Sequence, residues 1–170
     1  MMRTLFETPL WEFEIPGYQE LNKRLMAVSR TVEGDHRYFE TDSDAVRDFK
    51  TIVEGYMSAI AKERGWRDLV LKGRQNVIMP RACDTPHNHP VSALTGVYYL
   101  ELPENSGDIL LHDPRGGIDY SWWNYNERRR PFVRIAPKVG TILIFPGYLV
   151  HSVEANLSRV PRISIVVDAE

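Results

Sequence analysis

The pattern of apolar and polar positions changes character partway along the chain. Within residues 18–30, Leu21, Leu25 and Val28 fall at i, i+4 and i+7, one face of a short amphipathic helix. Over residues 43–64, Val46, Phe49, Val53, Tyr56 and Ile60 keep a three–four spacing, with Arg47, Asp48, Lys50 and Glu54 on the other faces. Asp42 or Ser43 suits the start of this second helix, and Gly65 its end. The first 70 residues are therefore read as helical. After Gly73 the period shortens. Gln75–Met79, Ala93–Leu102, Asp108–His112, Phe132–Ile135, Thr141–Phe145 and Arg162–Val167 read as short strands rich in Val, Ile, Leu and Tyr. Clusters such as Pro103-Glu104-Asn105-Ser106-Gly107 and Pro146-Gly147 separate them as turns. Short strands so closely spaced predict a β-sandwich or barrel, with the two helices covering one sheet.

Composition narrows the class. The 170 residues suit one domain, 1–170, with residues 1–70 as helical support and 71–170 as the β core. Twenty-one Lys and Arg against 23 Asp and Glu leave no basic excess, so no nucleic-acid partner is expected. No run approaches the roughly 18 apolar residues that a membrane span needs. Cys83 is the single cysteine, so no intramolecular disulfide forms. The first residues, MMRTLFETPLWEFEIPG, carry acidic residues and prolines where a signal peptide has its apolar run, and a cytoplasmic protein is expected. Oligomeric state is left open.

The chemistry-bearing residues cluster in the second half. In His87-Asn88-His89, an extended backbone points both rings the same way, and imidazole suits iron, zinc, copper and nickel. Two solvated histidines between Pro86 and Pro90 fit the same pattern. His151 follows an apolar strand and a Pro-Gly turn, at the mouth of the expected β-structure, as a third ligand or as a capping or core residue. Arg162 opens the last strand with Ser164 on the same face. A guanidinium inside a small barrel needs an anion, and its fork binds a carboxylate bidentately; an exposed strand end is the plainer alternative.

These segments carry a family resemblance. HNHPVSALTGVYYL (87–100), GDILLHDPR (107–115), PKVGTILIFPGYLVHSV (137–153), the closing Arg162-Ile163-Ser164 and the opening LFETPLW (5–11) together resemble the iron(II)/2-oxoglutarate-dependent oxygenases. The nearest likeness is to a small bacterial and phage branch related to the prolyl hydroxylases. The resemblance implies a mainly β fold with N-terminal helices, a double-stranded β-helix (jelly roll, cupin-like). It implies Fe(II) and 2-oxoglutarate as cofactors, His87 and His151 as iron ligands, and Arg162, Ser164 and Tyr99 around the far carboxylate of 2-oxoglutarate. The expected activity is a dioxygenase that oxidises or hydroxylates a small-molecule or peptidyl substrate.

His89 departs from that pattern, standing where the family usually has aspartate. Three imidazoles then hold the metal, or a carboxylate comes from Asp84 or Asp113. Asp113, in His112-Asp113-Pro114-Arg115, reads rather as a turn residue pairing with Arg115. Two other readings stay open at this point: a three-histidine iron dioxygenase that does not use 2-oxoglutarate, and a non-catalytic jelly-roll binding protein. The long insertion at 114–131 holds Tyr120, Trp122, Trp123 and Tyr125, followed by Arg128, Arg129 and Arg130. They read as a substrate-facing wall with an anion-attracting run, or as loop packing with solvated arginines. Cys83 reads as a small buried hydrophobe.

Overall fold

The computed structural model describes residues 6–29, 37–66, 69–115 and 131–170. Two antiparallel sheets make its core. The larger has five strands, β1 (Trp11–Glu14), β2 (Leu71–Ile78), β4 (Leu94–Glu101), β7 (Thr141–Pro146) and β9 (Arg162–Ala169), in the order β1-β7-β4-β9-β2. The smaller has four, β3 (Asp84–His87), β5 (Ile109–His112), β6 (Phe132–Ile135) and β8 (His151–Val153), in the order β3-β8-β5-β6. Strands far apart in sequence are paired, β2 with β9 and β3 with β8, as the expected jelly roll requires. Among the described residues no helix is long and apolar enough to cross a membrane.

The large sheet is buried on both faces, and strict two-residue alternation divides them. On one face Tyr98, Leu100, Ile142, Ile144, Ile165 and Val167 join the apolar sides of α1 (Tyr18–Ser29) and α2 (Asp44–Glu63) in one core. The helical stripe of α2 read from its spacing is the buried one: Val46, Phe49, Val53 and Ile60 are all inside. The opposite face is the functional one. Val97, Tyr99, Leu143 and Phe145 meet Ile109 and Leu111 of the small sheet in a second apolar cluster. Arg162, Ser164, Val166 and Asp168 alternate along β9 on this same side, opposite Ile78, Asn76, Arg74 and Lys72 of β2.

Three corrections follow. The first 70 residues are not all helical: Trp11–Glu14 forms an edge strand paired with β7. Its WEFE alternation is strand-like, and its half-buried Phe13 stacks on Tyr56 of α2 at 4.4 Å, which holds the strand against the helix. The first long strand begins at Leu71 and runs through Gly73, where a glycine was read as a boundary. Its Cα faces the Phe39 ring, whose atoms lie 3.0 Å from where a Cβ would stand. Cys83 is exposed rather than buried. The capping expectation holds in part. Ser43 occupies the N-cap position without a side-chain bond to the helix, and Asp42 and Asp44 are engaged with Arg47. Tyr120, Trp122, Trp123, Tyr125, Arg128, Arg129 and Arg130 lie outside the described residues.

Candidate active site

Strand pairing brings the histidines together. His87, at the end of β3, lies directly opposite His151, at the start of β8, with ring centroids 4.4 Å apart. His89 lies two residues beyond β3, its ring 5.5 Å from His87 and 5.2 Å from His151. Its backbone N–H donates to the Gly147 carbonyl at 2.8 Å, which ties the histidine loop to the turn preceding β8. One ring nitrogen from each of the three lies within 4.8 Å of the other two. Among the described residues neither Asp84 nor Asp113 joins that group. Asp84 accepts from Asn76 at 2.7 Å, and Asp113 is paired with Arg115 as its turn setting implied.

The tautomers are set by what each Nδ1 touches. His87 Nδ1 lies 2.7 Å from the Thr85 carbonyl, His151 Nδ1 3.0 Å from the Leu149 carbonyl, and His89 Nδ1 2.6 Å from Asp168 Oδ1. A carbonyl or ionised carboxylate only accepts, so each Nδ1 carries a proton, which leaves Nε2 as the atom to bind a metal. Burial pushes the His151 imidazole down to about 4, with His87 and His89 adding to the shift, so it is neutral at pH 7. The edge of the Phe145 ring against it, 4.9 Å between centroids, fixes its plane. Burial raises the Asp168 carboxyl, but the bonds from His89 and Thr95 outweigh it and hold the group below its usual value, hence ionised. His89 Nε2 is buried without a partner. Three converging imidazoles, each with Nδ1 engaged and one with a buried, orphaned Nε2, fit Fe(II).

At the other end of a small cavity, lined by His87 and His151 among others, lie Arg162 and Ser164. Arg162 is 1% exposed. Its Nη1 donates to the carbonyls of Gly107 at 2.7 Å and Ser106 at 3.4 Å, while Nε has no partner. The guanidinium carbon lies 5.4 Å from the centre of the Tyr99 ring, and the Tyr99 hydroxyl is also buried without a partner. Burial lowers the guanidinium and raises the phenol, so the site holds both groups at a cost. Among the described residues no carboxylate is ion-paired with Arg162. Orphaned donors around a buried cation fit a carboxylate-bearing ligand such as 2-oxoglutarate.

Two contributors were not read from sequence. Asp168 lies one residue past the expected strand end at Val167, yet it continues the alternation of Arg162, Ser164 and Val166; that parity was the available signal. Gly147 was read only as a turn. A Cβ on it would lie 2.2 Å from the Ser92 carbonyl oxygen and 2.7 Å from that of His89. Gly147→Ala is therefore expected to push the His89 loop away. The predicted result is about 1–3 kcal/mol of lost stability with weakened metal binding, read by thermal unfolding and a Co(II) titration. An unchanged variant would show that the turn does not hold His89.

Comparison with known proteins agrees with this geometry. A family model of the 2OG-Fe(II) oxygenases (2OG-FeII_Oxy_5) matches residues 75–168, more than half of the chain and all three histidines. The chain belongs to this 2OG-Fe(II) oxygenase family. It is an oxidoreductase whose cofactors are Fe(II) and 2-oxoglutarate. Membership selects this activity over the 2-oxoglutarate-independent dioxygenase and the non-catalytic binding protein also considered. No curated protein matches the oxygenase by sequence. Solved structures share its fold at low identity. A Pseudomonas putida prolyl-4-hydroxylase is 15% identical, with a TM-score of 0.65 over 94% of this chain and 85% of that one. A Trichoplax adhaerens prolyl hydroxylase, in complex with a hypoxia inducible factor peptide fragment, is 14% identical, with a TM-score of 0.68 over 94% and 82%. The epimerase SnoN from nogalamycin biosynthesis is 19% identical, with a TM-score of 0.67 over 94% and 77%.

Proposed function

We propose that His87, His89 and His151 hold the Fe(II) through their Nε2 atoms. Arg162, Ser164 and Tyr99 take the far carboxylate of 2-oxoglutarate, within a single oxygenase domain of residues 1–170 whose first 70 residues support the β core. The observation that carries this reading is Arg162: a fully buried guanidinium with an orphaned donor, in the cavity that the histidines close. Once both are bound, the iron and 2-oxoglutarate supply oxygen activation, giving succinate, carbon dioxide and an oxidised substrate.

The chain's own part is positioning and exclusion of water. Val97, Ile109, Val153 and Val166 give the cavity apolar walls that favour a desolvated ligand and strengthen the bonds from Arg162. Burial keeps the Tyr99 phenol protonated, so its hydroxyl donates to the carboxylate. The substrate, a small molecule or a peptidyl residue, enters by the open groove beside His87 and His89, whose other walls include Arg74, Asn88, Val91 and Ser92. Arg74 lines both this groove and the inner cavity. Lys72, which also lines the groove, is engaged with Glu170 at 2.6 Å. Arg74 is thus the cation in position to meet an acidic group on the substrate.

Anaerobic titration of the Fe(II)-loaded protein with 2-oxoglutarate tests the assignment. A visible metal-to-ligand charge-transfer band that saturates at one equivalent is expected, with succinate giving none. Iron that stays bound without the band would remove 2-oxoglutarate from this cavity and return the site to the three-histidine alternative.

A further inference from the structure

The proposed iron ligands are all neutral, which leaves a dication in a partly buried pocket with no negative ligand from the protein. A carboxylate stands one bond behind them. Asp168 Oδ1 lies 2.6 Å from His89 Nδ1 and also accepts from Thr95 Oγ1 at 2.9 Å. Asp168 is 7% exposed and Thr95 is fully buried. The two face each other in the β4–β9 register, so the carboxylate is carried by the rigid large sheet rather than by the histidine loop. Among the described residues Lys72, its register partner on β2, is drawn to Glu170, and Arg74 favours the charge on Asp168 without an ion pair to it. His87 and His151 rest on backbone carbonyls, so His89 is the only one of the three whose Nδ1 meets a charged group.

Building on the proposed three-histidine site, we infer that Asp168 is a positioning residue for the metal: through His89 Nδ1 it fixes the ring and supplies the negative charge that the ligands lack. A carboxylate accepting the Nδ1 proton makes Nε2 a stronger donor and locks the tautomer that presents it. Thr95 aims the carboxylate. Among the described residues Asp84, the acidic group lining the inner cavity, accepts from Asn76 and has no hydrogen bond to a histidine.

The test is metal binding by the full chain, with Co(II) as the spectroscopic probe. Asp168→Ala is expected to raise the Co(II) dissociation constant roughly 10- to 100-fold. Asp168→Asn keeps the shape and an acceptor but not the charge, and is expected to fall between the two. If the effect passes through His89, Asp168→Asn costs nothing further in a His89→Ala background. In the Zn(II)-loaded protein the His89 Nδ1 proton should give a slowly exchanging downfield resonance that Asp168→Ala abolishes. Unchanged affinity in Asp168→Asn and Asp168→Ala, or an effect fully additive with His89→Ala, would overturn the inference alone. If His89→Ala itself left Co(II) binding untouched, the three-histidine site would fall, and the inference with it.

Discussion

Replacing His151 with alanine is expected to leave the protein unable to retain Fe(II) through desalting and without 2-oxoglutarate turnover. The loss should exceed the roughly 10- to 100-fold that removal of an outer hydrogen-bond partner costs a metal site, because His151 is itself the ring that closes the cluster. It is 4% exposed, packed on Phe145 and anchored to the Leu149 carbonyl, so its Nε2 is pre-aimed. His151→Gln, closer in size, should keep the fold while losing the metal, which separates ligation from packing. His112 provides the control. It hydrogen-bonds Ser152 at 2.9 Å and leans on Phe132, outside the cluster, so His112→Ala should leave iron retention intact. Retention of iron by both His151 variants would refute the assignment.

Arg162→Met should weaken 2-oxoglutarate binding by roughly 2–5 kcal/mol, about 30- to 5,000-fold in Kd, the cost of truncating one partner of a buried charged pair. The same change should not destabilise the ligand-free protein and is expected to raise its melting temperature. The reason is that the folded chain alone gives this guanidinium two backbone carbonyls and no carboxylate, so its burial is unfavourable until a ligand arrives. Methionine fills much of the same volume without a charge. Calorimetry of 2-oxoglutarate binding and thermal unfolding with and without ligand read the two effects separately. A variant that binds 2-oxoglutarate normally would move the carboxylate site elsewhere. One that binds normally and also unfolds earlier would make Arg162 a structural residue.

Much of this molecule is legible along the chain. The stripe of Val46, Phe49, Val53 and Ile60 announces a helix with one buried face, because side chains three and four apart share that face whatever they pack against. Alternation did the same for β9, placing Arg162 and Ser164 on one side before any partner was known. His87, His89 and His151 stood out by residue type and spacing. Two short elements were missed, Trp11–Glu14 and Asp84–His87, whose pairing with β7 and β8 is what makes them strands.

What only the tertiary structure decided is which groups meet. His87 and His151 are 64 residues apart and face each other because β3 pairs with β8. Asp168 reaches His89 because the last strand of the large sheet passes beneath the histidine loop, and Gly147 lets that loop close by having no side chain to strike the His89 and Ser92 carbonyls. Periodicity is a local property of the backbone and survives in the sequence. Contact between distant residues is set by strand pairing and sheet packing, and is fixed only once the chain has folded.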